Sequence, residues 1–149
     1  MRRATITPPP PAGSPPNTTV PPFVLGDDAA GRGPGSMFIS DLSLNISRKV
    51  QRIDPTDAVF SSFQPRGLLA VTFIFVVEYE FASADACFKF KTELPLKLPG
   101  GGLLEVTVVN GQKIFYDNAV IESAPVADIG EVSARVTYTI LAGQPRLAT

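Results

Sequence analysis

A chain of 149 residues in which 44% are hydrophobic can form one ordinary domain with a sizeable core and an appendage. Fifteen prolines and twelve glycines argue against a helical protein, and a net charge of −1 gives no general attraction to nucleic acid or to an anionic membrane. The single cysteine excludes an intrachain disulfide, and the absence of histidine excludes histidine-based triads, proton relays and metal sites.

Residues 1–36 form a segment that contains nine of the fifteen prolines. Such a composition favours extended polyproline II and cannot bury a core of its own. We therefore divide the chain into an extended Pro-rich N-terminal arm, residues 1–36, and a β-sandwich domain, residues 37–149. The arm is either a disordered tail or a strap on a neighbouring subunit, anchored in the second case by Phe23, Val24 and Leu25. Without it, the domain is expected to fold but to assemble poorly.

Two long apolar segments follow the arm. In residues 38–50 one parity holds Phe38, Leu42, Leu44, Ile46 and Val50, which predicts a strand with one buried face. Residues 68–81 are apolar on both parities for most of their length, which predicts a central strand covered on both faces. Turns are predicted at residues 54–57 and 64–67, where proline and short polar side chains cluster.

One short helix is predicted over residues 84–91, with Ser83 as its N-cap and with Asp85 and Lys89 spaced four residues apart. Residues 93–98 are predicted to be extended, because prolines 95 and 99 oppose a helix there.

A hairpin and a last strand are predicted in the C-terminal third. Asn110-Gly111 predicts a two-residue hairpin turn that pairs Val106 with Phe115, and a bulge is expected near Asp117-Asn118. Polar and apolar side chains alternate strictly in residues 131–141, which predicts a strand with one solvent-exposed and one buried face. The fold class is therefore mainly β, with antiparallel sandwich or barrel-like sheets, one short flanking helix and the N-terminal arm.

No pattern of residues predicts an enzyme, and we assign no catalytic, cofactor-binding or metal site. The glycines 100–102 lack the Lys-Ser/Thr and the helix of a phosphate loop. Asp27-Asp28 lacks the further ligands of a cation site, and Glu78 and Glu80 lie on a single strand rather than across a cleft. Cys87 has no histidine to activate it and is expected to be a buried apolar residue.

A short basic run is formed by Arg48, Lys49 and Arg52. No aromatic side chains are interleaved with it for stacking on bases, so we expect a solvated strand edge that discourages unwanted pairing. No apolar run approaches the roughly 20 residues of a membrane helix. The N-terminus lacks the apolar core of a signal peptide. We therefore expect a soluble chain made in the cytosol.

Three segments carry a family resemblance. Residues 42–62, with Val50-Gln51-Arg52-Ile53-Asp54-Pro55-Thr56-Asp57, contain an early strand, a charged loop and a Thr/Ser segment. Residues 82–94 hold a single helix, and in residues 111–142 Asn118-Ala119-Val120-Ile121 precedes a loop and an alternating last strand. This order resembles the tail-tube, or major tail, proteins of long-tailed bacteriophages and related virion proteins of the same fold. The resemblance implies β-sandwiches that assemble into stacked rings around a DNA channel and are tied together by loops and terminal arms.

The resemblance predicts a structural virion protein, most simply a tail-tube subunit. Its partners would be copies of itself in rings or tubes and other virion proteins, while DNA passes without specific binding and no membrane is involved. It would reside in the virion after assembly in the host cytoplasm. The alternatives are a capsid decoration or head–tail connector protein that grips its neighbours with the arm, and a β-sandwich module that binds carbohydrate or a protein ligand. Rings or tubes favour the first reading, and a permanent monomer favours the binding module.

Overall fold

One nine-stranded sheet and one helix are formed within residues 2–53, 62–108, 110–142 and 145–147, which are the residues that the computed structural model describes. The elements are β1 (Arg3–Thr7), β2 (Phe23–Asp27), β3 (Met37–Ile53), β4 (Ser62–Glu80), α1 (Ala84–Lys97), β5 (Gly101–Thr107), β6 (Lys113–Ser123), β7 (Val126–Asp128), β8 (Ser133–Ala142) and β9 (Pro145–Leu147). Every strand pair is antiparallel. The predicted mainly-β antiparallel fold with one flanking helix is confirmed.

Hydrogen bonding between strands runs in a closed circuit, from β8 through β4, β3, β2, β1, β5 and β6 back to β8, with β7 and β9 attached to its outside. Neighbouring antiparallel strands run in opposite directions, and an odd number of strands, here seven, cannot keep this alternation around a complete circuit. Strands must therefore bend or cross steeply where the layers meet. The junctions that allow this are short. Among the described residues, β2 meets β3 through the single pair Asp27–Met37, and β6 meets β8 only between Val120 and Ser123.

The core fills this circuit. On β8, Ala134, Val136, Tyr138 and Ile140 are fully buried, which confirms the dry face predicted from the alternation. They face Val71, Phe73, Phe75, Val77 and Tyr79 of β4. β4 is hydrogen-bonded on both sides from residue 71 onward, as expected for a central strand, but only one of its faces is buried and the other is half-buried.

A buried hydrogen-bond chain crosses the core between three strands. The Tyr79 hydroxyl donates to the backbone carbonyl of Leu25 (2.7 Å) and lies 2.7 Å from the Tyr138 hydroxyl. Because a tyrosine has one hydroxyl proton, Tyr138 must be the donor to Tyr79. Burial raises the pKa of both phenols, to about 12 for Tyr138 and well above the usual value for Tyr79.

The two ends of the Pro-rich segment are core strands, which corrects the prediction that residues 1–36 form an arm separate from the domain. β1 pairs with β2 and β5, and Ala4, Ile6 and Leu25 are fully buried. Each strand has five residues, which is too short for a clear periodicity, and the partner of β1 lies about a hundred residues away in sequence. Deleting residues 1–36 would therefore open the core rather than leave a folded domain.

The prolines belong instead to the connection between β1 and β2. Residues 8–22 are largely exposed and contain two successive turns, in which Ser14 and Thr18 bond to the carbonyls of Pro11 and Pro15 through both N–H and hydroxyl groups. Since Ile6 is paired with Phe23, this loop projects from the end of the β1–β2 hairpin, whose register shifts between Ala4 and Thr5.

A long hairpin of β3 and β4 replaces several shorter predicted elements. The turn predicted at residues 64–67 is wrong, because these residues lie inside β4 and Pro65 is paired with Val50. Before Val71, β4 has no described partner on its other side, so Pro65 lies at a strand edge, where proline is tolerated. The turn predicted at residues 54–57 lies outside the described residues.

The helix begins as predicted. Ser83 is extended, and its hydroxyl accepts a first-turn backbone N–H (3.2 Å). The extended segment predicted after residue 92 is wrong, because α1 continues to Lys97 with Pro95 inside it. Proline costs one helical hydrogen bond, but burial of Leu94 and a Glu93–Lys97 ion pair (2.7 Å) hold the last turn in place.

The hairpin predicted at Asn110-Gly111 joins β5 and β6, but its register is displaced by one residue: Val106 pairs with Ile114. The closing backbone bond leaves three residues between the strands rather than two, and Gly111 has the positive φ (85°) that closes such a loop. The bulge predicted on the return strand is confirmed, because the register shifts there and Asn118 has a φ of 57°.

A glycine near the start of β5 lies close against the backbone of β1. The strand begins at Gly101. A Cβ on Gly102 would lie 2.0 Å from the carbonyl oxygen of Thr7, and its φ is 150°. Glycine is needed here because β1 runs against this backbone, which closes one side of the circuit.

Candidate assembly interface

An open strand edge is the main feature of the surface. β3 is hydrogen-bonded to β4 along its length, but within the described chain its other side meets a strand only at Met37. From Ser40 to Gln51 no described strand pairs with this side. Such an edge is a template for pairing with another chain.

The apolar core continues onto this open edge. Leu44 and Ile46 are paired with Phe73 and Val71 of β4, and directly opposed residues lie on the same face of a sheet. Phe73 and Val71 are 5% and 7% exposed, whereas Leu44 and Ile46 are 51% and 58% exposed. The edge therefore carries core-facing side chains without cover, because the layer that covers β4 ends before it reaches them.

The β3–β4 hairpin extends beyond the closed circuit of strands. Six residue pairs, from Arg48–Leu69 to Ile53–Ser62, lie past the point where β8 stops pairing with β4. At about 3.3 Å per residue this two-stranded ribbon is about 20 Å long. An isolated two-stranded ribbon is marginal in water, so its stability calls for a further contact.

The open edge has a defined beginning at Ile39. The Ile39 N–H donates to Asp28 Oδ1 (2.6 Å), and Arg2 Nη2 donates to the Ile39 carbonyl. Arg2 Nε also donates to Asp28 Oδ2 (3.1 Å), and both side chains are largely buried. The side chains of Asp28 and Arg2 thus bond both backbone groups of Ile39, its N–H and its C=O.

The outer face of β3, β4 and β8 is rich in hydroxyl and amide groups and carries the exposed Asp41, which is paired with Val76. Its described side chains include Ser43, Asn45, Thr72, Thr137 and Thr139, mixed with Ile74, Val76 and Leu141.

A charged cluster lies at one end of this face. Glu78 is bonded to Arg32 and to Arg135 (3.1 Å), and the Arg32 guanidinium lies 4.2 Å from the Phe38 ring centroid. The Arg32 hydrogen bond, and then that of Arg135, lower the pKa of the Glu78 carboxyl. One carboxylate therefore bonds both cations and balances one of their two charges.

The predicted anchor residues do not form an exposed patch. Leu25 is fully buried in its own core, which removes it as an anchor for a neighbour. Phe23 and Val24 are partly buried and line an apolar cleft of about 260 Å³ beneath α1, together with Phe81 and Phe90. The sequence alone does not show which of these three side chains is buried, since strand pairing determines which of them point into the core.

The other residues that were weighed as chemical sites have structural partners. Asp27 pairs with Arg3 (3.4 Å), and Asp28 seals the β3 edge, so these carboxylates serve ion pairs. Cys87 is buried, as expected. Across the residues that the structure describes, no group of three or more acidic or cysteine side chains has metal-site geometry, and no helix is long and apolar enough to cross a membrane.

Sequence reasoning missed Leu44 and Ile46 as surface residues, because their parity placed them on the dry face of β3. The basic run of Arg48, Lys49 and Arg52 was a usable signal, since such residues are typical of edge strands. Their backbone does lie on the open strand.

Comparison with protein-family models and with curated proteins gives no match. Among solved structures, one similar chain is in the virion of a native gene transfer agent particle, with a TM-score of 0.42 and 9% identity over 74% of this chain and 85% of that one. Another is in the tail of an empty gene transfer agent particle with C6 symmetry, with a TM-score of 0.44 and 9% identity over 74% and 82% of the two chains.

Proposed function

We propose that this chain is a non-enzymatic, self-assembling structural protein of a virion, specifically a tail-tube subunit. The observation that carries the proposal is the uncovered β3 edge with Leu44 and Ile46 on its core-facing side. An edge with both unpaired backbone groups and exposed core residues is completed by a strand from another copy.

In this mechanism each subunit offers its β3 edge to the next, so that the sheets join around a ring. The extra strand covers Leu44 and Ile46 and supplies the missing layer at the end of the core. The β3–β4 ribbon, about 20 Å long, reaches out of the ring plane toward a neighbouring ring. Ring formation and stacking thus use two different parts of one hairpin.

The outer face of β3, β4 and β8, with its hydroxyl and amide groups and the exposed Asp41, suits a channel for DNA. Duplex DNA is held chiefly by cations that replace its counterions. Arg32 and Arg135, at the end of this face, are both engaged by Glu78. We therefore assign this face to the lumen, where it passes DNA without retaining it.

Electron microscopy of the purified full-length protein, together with sedimentation velocity at several concentrations, tests the proposal. We expect rings or short tubes whose proportion rises with concentration. Their failure to bind duplex DNA at low salt would agree with the lumen assignment. A compact monomer at every concentration contradicts the proposal and favours a binding module.

The Pro-rich loop, residues 8–22, supplies a second contact in this proposal, by lying on a neighbouring subunit in place of the longer arm. Prolines stiffen the free loop, so less entropy is lost when it docks. Because Ile6 and Phe23 are paired, the loop can be replaced by Asn-Gly without stretching the strands. We expect this variant to fold normally and to form rings that stack poorly. Stacking equal to that of the wild type contradicts the role of the loop.

A further inference from the structure

The end of the open edge is built from two charged side chains whose arrangement resembles one residue of a strand. In an added antiparallel strand, a carbonyl would accept the Ile39 N–H, and an N–H would donate to the Ile39 carbonyl. Here the Asp28 carboxylate accepts the first and the Arg2 guanidinium supplies the second. The two side chains are bonded to each other, which holds both in position.

The position of this pair coincides with a change in the edge. β2 stops pairing with β3 at Met37, the Arg2–Asp28 pair occupies Ile39, and the β3–β4 register shifts between Ile39 and Asp41. The described edge is open beyond that shift, and the uncovered Leu44 lies on that part. The structure therefore divides β3 into a closed beginning and an open remainder.

We infer that the Arg2–Asp28 pair is a register stop for the strand that a second copy of this chain adds to β3. An incoming strand cannot displace a charge-assisted pair without leaving two largely buried charges unpaired, so pairing starts after Ile39. Register matters because a slip of one residue turns every side chain of the added strand to the opposite face. The inference rests on the proposed function, since it assigns where the subunit contact begins.

Adjacent aspartates provide a matched test. Asp28→Ala removes the stop, while Asp27→Ala removes an equal charge and the ion pair with Arg3 but does not touch Ile39. Asp28→Asn keeps an oxygen that can accept the Ile39 N–H and is the conservative rescue. Hydrogen exchange should show the Ile39 amide at least about tenfold faster in Asp28→Ala, the factor for losing one net hydrogen bond, and unchanged in Asp27→Ala.

Assembly is then compared among the same full-length variants by microscopy and thioflavin T fluorescence. We expect uniform rings from the wild type, Asp27→Ala and Asp28→Asn, and irregular β-rich aggregates from Asp28→Ala. Adding Ile46→Lys to Asp28→Ala places a charge on the open edge and should abolish these aggregates. Aggregation that persists in the double variant comes from unfolding rather than from the edge, and overturns the inference.

The two proposals fail differently in this experiment. If Asp28→Ala forms the same uniform rings as the wild type, the register stop is refuted while the assembly function stands. If the wild type remains a monomer and Asp28→Ala alone aggregates through β3, the tail-tube function is refuted while the stop stands. If the wild type and Asp28→Ala both remain monomeric, both proposals are refuted.

Discussion

Replacing Leu44 and Ile46 together by serine tests the core-facing edge directly. Burying a whole leucine or isoleucine side chain is worth about 1.5–3 kcal/mol, and about half of each side chain is still exposed in the single subunit. Association should therefore gain about 1 kcal/mol from each residue, or about 2 kcal/mol per contact. The double variant should need about 30-fold higher protein concentration for the same degree of assembly.

Sedimentation velocity across a wide concentration range measures this shift. A matched control is available on the outer side of α1, where Phe88 and Leu96 are 65% and 85% exposed. Replacing both by serine removes at least as much exposed apolar surface without touching β3. Urea unfolding is needed beside the assembly measurement, because the buried halves of Leu44 and Ile46 contribute to folding, and the edge variant should lose about 2 kcal/mol of unfolding free energy.

Two results would refute the reasoning. Assembly of the Leu44/Ile46 variant at the same concentration as the wild type would mean that the β3 edge is not the contact. An equal loss of assembly in the helix control would mean that association follows general surface hydrophobicity rather than a particular edge.

Three further predictions concern the fold. Tyr79→Phe should lower the free energy of unfolding by about 1–3 kcal/mol, since it leaves a buried hydroxyl and a carbonyl unpaired. Tyr138→Phe should lower it by about 0.5–1.5 kcal/mol, since it removes a single hydrogen bond. Equal losses in urea titrations would contradict the proposed donor direction, from Tyr138 to Tyr79 to the Leu25 carbonyl. The contribution of the buried tyrosines to stability should be constant below pH 10 and fall as the pH rises toward 12, because the buried phenols stay protonated while those of the unfolded chain ionise. The contribution of Tyr138 to this fall is about 3 kcal/mol over two pH units, and a pH dependence unaltered in Tyr138→Phe would argue against it. Gly102→Ala should cost at least about 1–3 kcal/mol from its φ alone, whereas Gly100→Ala, with open space around it, should unfold like the wild type.

The sequence predicted those features of the fold that depend on residues close together in the chain. The alternation of Val136, Tyr138 and Ile140 predicted a strand with one buried face because side chains on a strand point to opposite sides at every step. The cap at Ser83 and the bulge beside Asn118 were predicted on similar grounds. Absence of histidine and a single cysteine likewise removed whole classes of chemistry without any structure.

The tertiary structure decided which of these strands were covered. Leu44 and Phe73 are opposed on the same face of the sheet and are both large and apolar, yet one is on the surface and the other is in the core, because cover depends on where a distant layer ends. Ile6 and Leu25 show the converse, since strands hidden in a Pro-rich composition become core once β5 pairs with β1. Periodicity fixes the direction of a side chain, but burial also requires a neighbour, and long-range pairing supplies that neighbour.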